Sequence, residues 1–173
     1  MNSAQPEPDA AVRTRPKRRK AKRPRRRDEK LHYVVELDDW DWSFMFGVSP
    51  MKDGSEGPYS DYRHLEFQGK LMRPAAVKAS RVEIALLPDR RLNRPERDRD
   101  QPRSVGSFHL LRGVLQFTIS MPADALSDLL AMMIAGRLRY AILEANRPHY
   151  GQGLVRFYRL ASRHDEDDLP PDA

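Results

Sequence analysis

Apolar and polar residues alternate with a period of two over much of residues 31–161, which is the pattern of β-strands that bury one face. The most regular run is almost entirely aromatic and comprises Trp40, Trp42, Phe44, Phe46 and Val48. A shorter run of opposite parity precedes it and comprises Tyr33, Val35 and Leu37. The acidic pair Asp38 and Asp39 separates the two runs, so we predict a turn or a β-bulge there.

Five further stretches carry the strand pattern: residues 62–72, 79–87, 105–120, 138–145 and 154–161. We expect the longest of them to bend at Gly113. Residues 49–60, which contain two glycines and two prolines, are predicted to form a loop. One helix is predicted over about residues 122–135, because an apolar stripe with helical spacing lies between Pro122 and Gly136 and comprises Leu126, Leu129, Leu130 and Met133.

About seven strands with one helix before the last two strands indicate a mainly β fold. Since helices do not alternate regularly with the strands, we expect an antiparallel β-sandwich or a partly open barrel. The length of 173 residues fits one such domain with tails, which we place at residues 31–163. A highly charged stretch with almost no apolar residue, residues 88–104, is predicted to be a mobile loop within this domain.

The aromatic run has two explanations. Aromatic side chains on a sheet face can stack on unpaired bases, but such platforms usually interleave aromatic residues with cations. Here the residues between the rings are Asp41, Ser43 and Met45. We therefore expect the run to pack in the core, with partners from other strands at Phe67, Phe117 and Phe157.

Charge is concentrated at the two ends of the chain. The net charge is +6, yet residues 1–30 carry 12 basic and 4 acidic groups, and residues 165–173 carry 5 acidic groups and no basic one. Residues 13–27 hold eleven cations and no anion: Arg13, Arg15, Lys17, Arg18, Arg19, Lys20, Lys22, Arg23, Arg25, Arg26 and Arg27. Such a run repels itself and has little to bury, so we predict a disordered arm over 1–30 and an acidic disordered tail over 164–173.

The charge of this arm favours the interpretation that the protein is non-enzymatic and binds nucleic acid. Each phosphate that a cation neutralises releases condensed counterions, which gives salt-sensitive affinity for DNA or RNA without sequence preference. The mobile loop supplies candidates for secondary phosphate contacts: Arg90, Arg91, Arg94, Arg97 and Arg99. A solubilising tail, a targeting signal or an arm that binds an acidic protein would explain the same cations. The acidic tail could also fold back on the arm and compete with nucleic acid.

Two other function classes remain open. The domain could be a structural or adaptor module that binds other proteins or oligomerises through a sheet edge or the helix. It could also be a small metal-dependent enzyme, in which His64 and Glu66, two apart on one strand face, bind a metal with His109 or His149. A solvated strand face explains His64 and Glu66 more simply. Residues 147–153 could line an anion pocket, but a hairpin turn with glycines at positive φ explains them better.

Several classes are excluded or disfavoured by composition. The chain has no cysteine, which excludes disulfides, thiolate metal sites and cysteine nucleophiles. Its longest nearly apolar stretch, residues 129–136, is far shorter than the about 20 residues of a membrane span. No secretory signal follows the basic segment. We expect no cofactor and no membrane partner, and a location inside the cell, in the cytoplasm or associated with the nucleoid.

Overall fold

The computed structural model describes residues 29–48, 59–93 and 103–164. The strands are β1 Lys30–Val48, β2 Tyr59–Arg73, β3 Arg81–Asp89, β4 Gly106–Leu111, β5 Val114–Pro122, β6 Tyr140–Asn146 and β7 Gln152–Ala161. Helix α1 spans Leu126–Ile134, and 3₁₀ turns lie at Arg90–Leu92 and Ala123–Ala125. The predicted arm and acidic tail, most of the loop 49–60 and most of the loop 88–104 lie outside the described residues.

The strands form one closed barrel in the order β1-β2-β3-β5-β4-β7-β6, and β6 pairs with β1 to complete it. Neighbouring strands are antiparallel except β3 and β5, which are parallel. The prediction of a mainly β fold with one helix before the last two strands is confirmed. No helix of the described residues is long and apolar enough to cross a membrane.

The barrel interior is packed with aromatic and aliphatic side chains from every strand. Tyr33, Phe108 and Phe117 form a central aromatic cluster, with ring centroids 5.4–5.6 Å apart. Leu126 and Met133 of α1 are buried in the same core. The helical stripe therefore covers part of the barrel, as its spacing predicts.

One predicted strand was wrong. Residues 105–120 form two strands, because Arg112 and Gly113 adopt φ values of 52° and 83° and reverse the chain between β4 and β5. Two successive positive φ values are typical of a tight hairpin turn. The helix agrees with the prediction of about residues 122–135: Pro122 ends β5, and the 3₁₀ turn Ala123–Ala125 leads directly into α1 at Leu126.

The two apolar runs of opposite parity belong to one strand. β1 is 19 residues long, and its pairing with β2 shifts register between Leu37 and Asp39, which confirms the predicted bulge. Before the shift Tyr33 and Val35 point into the barrel, and after it Trp40 and Trp42 pair with the buried residues Phe67 and Leu65. The bulge thus keeps one side of β1 apolar along its length, because odd-numbered residues face that side before the bulge and even-numbered residues face it afterwards.

The buried phenol of Tyr33 predicts a loss of stability at alkaline pH. Burial raises the pKa of Tyr33 well above its ordinary value, and the nearby Arg147 offsets this only in part. Because the folded pKa exceeds the unfolded one, this contribution is complete below about pH 10 and is lost as the pH rises above it. The hydroxyl donates a hydrogen bond of 3.2 Å to the carbonyl of Asn146, so Tyr33→Phe should cost about 1 kcal/mol at pH 7.

Urea unfolding at pH 7 and pH 11 measures this difference. The Tyr33→Phe variant should lose less free energy of unfolding between the two pH values than the parent protein. Some loss should remain in the variant, because burial also raises the pKa of Tyr158. Tyr150→Phe, at a side chain that is 94% exposed, is the control and should show the parent's full loss. An equal loss in both variants would contradict the assignment.

Candidate functional site

β1 and β2 extend beyond the barrel as a two-stranded antiparallel hairpin. β6 pairs with β1 only as far as Glu36, and β3 pairs with β2 only from Leu65 to Gly69. The two strands nevertheless stay paired out to Val48 and Tyr59. We call the paired residues 39–48 and 59–68 the ribbon. At about 3.3 Å per residue, β1 is about 60 Å long, and the ribbon occupies its second half.

One face of the ribbon is aromatic and exposed. Residues directly opposite on paired strands share a face, which places on this side Trp40, Trp42, Phe44, Phe46 and Val48 of β1 and Tyr59, Asp61, Arg63, Leu65 and Phe67 of β2. Leu65 and Phe67 are buried in the barrel core, whereas the exposed fraction of the aromatic side chains rises from 36% at Trp42 to 63% at Phe46.

The prediction that this run packs in the core was therefore wrong. Two of its expected partners, Phe67 and Phe117, are indeed buried, but Phe157 is exposed. Only the first half of β1 takes part in closing the barrel. The apolar side of its second half therefore extends beyond the strands that form the barrel core. The available signal was length, because the aromatic run extends the strand to 19 residues, well beyond the usual 3–10.

The rings on this face are ordered against one another. Trp42 and Phe44 stack with their planes 9° apart and their centroids at 6.3 Å, and Phe46 and Tyr59 stack with centroids at 5.7 Å. The guanidinium of Arg63 lies over the Phe44 ring, with Cζ 5.4 Å from the centroid. This face therefore already holds one guanidinium by a cation–π contact.

The other face of the ribbon is acidic. Asp41 and Glu66 lie directly opposite each other, and Asp39 lies two pairs further toward the barrel, on the same side. Like charges in directly opposite positions destabilise a strand pair, so this face favours a cation. Nε2 of His64 lies 3.1 Å from Oε1 of Glu66, and the His64 ring also packs against the Tyr62 ring.

Acidic groups predominate on the ribbon as a whole. Its twenty residues include four carboxylates and one guanidinium, namely Asp39, Asp41, Asp61, Glu66 and Arg63. The sequence of the connecting residues 49–58 adds two acidic groups and one basic group. Stacking surface and negative charge together suit a planar cation and disfavour a phosphate.

The described part of the loop 88–104 brings two of the predicted phosphate contacts close to the ribbon. Arg90 lies 3.7 Å from the carboxylate of Asp61, and Arg91 pairs with Asp89 at 2.9 Å. The hydrogen bond from Arg91 lowers the pKa of Asp89, although burial opposes the shift. Both arginines therefore lie beside a carboxylate. Arg94, Arg97 and Arg99 lie outside the described residues, as do all eleven cations of residues 13–27.

The structure brings together only part of the predicted metal set. His64 and Glu66 are in contact, as their spacing predicts, but His109 and His149 line a separate cavity of about 780 Å³ together with Arg147. Within residues 29–48, 59–93 and 103–164, no group of three His, Asp or Glu residues is placed to hold a metal ion.

The segment 147–153 forms the turn between β6 and β7. Tyr150 and Gly151 adopt φ values of 52° and 76°, so the hairpin explanation accounts for the glycine at position 151. Arg147 is paired with Glu29 at 3.1 Å, which directs its guanidinium to the start of β1. Glu29, the residue before β1, therefore lies beside this turn, at the end of β1 away from the ribbon.

Two surfaces were predicted for protein partners. The barrel is closed, so the long free edge among the described residues belongs to the ribbon rather than to the barrel wall. On α1, Met132 and Ile134 are exposed, whereas Met133 is buried. The ribbon is thus the larger of the two exposed apolar surfaces.

No known family model, curated protein or solved structure matches this chain.

Proposed function

We propose that the protein is a non-enzymatic nucleic-acid-associated binding protein in which residues 13–27 bind the phosphate backbone of DNA or RNA. The observation that supports this most strongly is the density of charge, eleven cations in fifteen residues with no anion. Displacement of condensed counterions by such a run gives strong affinity at low salt and no dependence on base sequence. We place the protein inside the cell, in the cytoplasm or on the nucleoid.

The folded domain makes a smaller electrostatic contribution in this proposal. Residues 31–164 carry 19 basic and 16 acidic groups, so the domain is nearly neutral. Arg90 and Arg91 act as secondary phosphate contacts, weakened by Asp61 and Asp89 beside them. Arg94, Arg97 and Arg99 are assigned the same role on the strength of the sequence.

Deletion of residues 1–28 tests the proposal. Binding of a fluorescent 20-nucleotide single strand and of a matched duplex is measured by anisotropy at 50 mM salt. The full chain should bind both, and the deletion variant should bind neither measurably, because most of the phosphate-neutralising charge is gone. Circular dichroism of the variant checks that the barrel persists. Unchanged affinity after the deletion would refute the proposal.

A second candidate function is an adaptor that binds another protein through the ribbon. The observation that favours it is the exposed aromatic face, since large exposed apolar patches commonly mark interaction sites. To distinguish the two functions, the protein is isolated together with its partners and treated with nuclease, and the mass of the remaining assembly is measured by light scattering. An adaptor keeps its assembly after the nucleic acid is digested, whereas a nucleic-acid-bound protein becomes monomeric.

A further inference from the structure

The exposed rings of the aromatic face, from Trp40 to Phe46, are not covered by a layer of the described residues, and the chemistry of the ribbon restricts what could cover them. A second ribbon is a poor partner, because each ribbon carries four carboxylates against one guanidinium, three of them on the acidic face and Asp61 on the aromatic face, and this net charge would repel a copy. A phosphate backbone is disfavoured for the same reason. The matching ligand is a cationic peptide whose side chains can stack on rings, which means one rich in arginine.

The ribbon itself shows how an arginine binds there. Cζ of Arg63 lies 5.4 Å from the centroid of the Phe44 ring, and Nη2 of the same guanidinium is 2.8 Å from the Asp61 carboxylate. Ring and carboxylate thus hold one guanidinium together. Trp40, Trp42 and Phe46 offer further exposed rings along the same face.

The chain contains a segment of the required chemistry. Residues 13–27 include eight arginines and three lysines and no acidic residue. They precede β1, whose first residue Lys30 pairs with Glu144 at the end of the barrel away from the ribbon. Opposite charge and stacking capacity therefore occur in one molecule, on two segments joined by the first half of β1.

The connecting length permits the two to meet within one chain. Thr14 is fifteen residues before Glu29, so an extended chain places it up to about 50 Å from that residue. Trp40 and Trp42 lie about 35–40 Å along β1 from its start, at about 3.3 Å per residue. The first half of the cationic run can therefore reach the near half of the ribbon.

We propose that the first half of the cationic run, residues 13–19, binds the near half of the aromatic face of the ribbon of the same chain, with arginines over Trp40 and Trp42 as Arg63 is over Phe44. This inference does not depend on nucleic-acid binding. If both hold, nucleic acid and the ribbon compete for the same cations, and the ribbon limits how readily the segment binds a polyanion.

The chain is well suited to a direct test. Its only two tryptophans, Trp40 and Trp42, lie on the ribbon, and it has no cysteine. A nitroxide attached to the full-length Thr14→Cys variant should therefore quench tryptophan emission only when the segment contacts the ribbon. The Ala4→Cys variant, labelled outside the cationic run, is the matched control.

At about 10 mM salt the Thr14→Cys label should reduce tryptophan emission by about half or more relative to the reduced, diamagnetic label, as expected if the bound state is the majority. Near 1 M salt most of the quenching should disappear. The Ala4→Cys label should quench much less. The effect should be independent of protein concentration, and quenching that grows with concentration would overturn binding within one chain.

Charge variants locate the binding surface. Asp61→Asn, which removes the carboxylate of the aromatic face, should remove most of the quenching, whereas the charge-matched Glu83→Gln, on the barrel, should retain it. Deletion of residues 165–173 should leave quenching unchanged. Loss of quenching on that deletion, or equal quenching by both labels, would refute the proposal.

A 20-nucleotide single strand added to the labelled Thr14→Cys protein separates this inference from the proposed function. Recovery of emission shows that nucleic acid displaces the segment and supports both. Quenching that meets all the criteria above but does not change with nucleic acid supports the ribbon contact and contradicts the proposed function.

Discussion

Replacing all eleven cations of residues 13–27 with glutamine should weaken binding of a single-stranded or duplex oligonucleotide by about 100-fold or more at 0.1 M salt. The reason is that affinity in this account comes from counterion release, which requires charge and not a particular side-chain order. The variant keeps residues 29–164 unchanged, so its circular dichroism and unfolding transition should match those of the parent protein.

A scrambled variant is the matched control for this loss. It keeps the composition of residues 13–27 and randomises their order, so it should retain affinity to within a few-fold of the parent. Anisotropy titrations of both variants give the comparison. Equal weakening by scrambling and by neutralisation would show that the segment is recognised by sequence, and retained affinity in the glutamine variant would remove the segment from the interface.

Replacing Gly69 with alanine should destabilise the barrel by about 2–4 kcal/mol. Gly69 lies opposite Leu37 at the bulge of β1, and a Cβ there would overlap the carbonyl oxygen and carbon of Glu36. Those are backbone atoms in a paired strand, so the overlap can be removed only if β1 moves at its bulge, where the apolar side changes from odd-numbered to even-numbered residues. The variant should therefore lose both stability and the register that places the aromatic run on one face.

Gly47→Ala is the control for this substitution. Gly47 lies in the same strand, on the ribbon, and a Cβ at that position meets no atom within 4 Å. Its effect on the free energy of unfolding should stay within about 0.5 kcal/mol. Urea unfolding followed by circular dichroism measures both variants. A loss in Gly69→Ala no larger than that in Gly47→Ala would contradict the assigned role of the bulge.

The alternation of residues was sufficient to predict the strands and their faces, because side-chain direction along a strand is a local property. It also located the bulge, since the change from Leu37 to Trp40 breaks the period of two. Residues 105–120 were harder, because a two-residue turn at Arg112 and Gly113 interrupts the apolar alternation too briefly to be distinguished from a bend.

Burial of the aromatic run could not be predicted in the same way. Alternation shows that Trp40, Trp42, Phe44 and Phe46 share a face, but whether another layer covers that face depends on where β6 and β3 stop pairing. That is a property of barrel closure and involves strands far apart in sequence. The cross-strand pairing of Arg63 with Phe44, which gives the ribbon its guanidinium site, is likewise set by the register of β1 and β2.

The charge of residues 13–27 was fully available from sequence, and it remains the basis of the proposed function. The structure adds a ribbon of net negative charge with exposed rings on one face, and it places the start of β1 at the end away from that ribbon. The central claim is that the segment binds a polyanion through charge alone.

The salt dependence of binding by the full chain tests that claim most directly. The logarithm of the observed association constant is measured against the logarithm of salt concentration between 50 and 200 mM for one 20-nucleotide single strand. Neutralisation of six or more phosphates predicts a straight line with a slope of about −4 or steeper. A slope near zero would show that affinity does not come from the cations and would contradict the account.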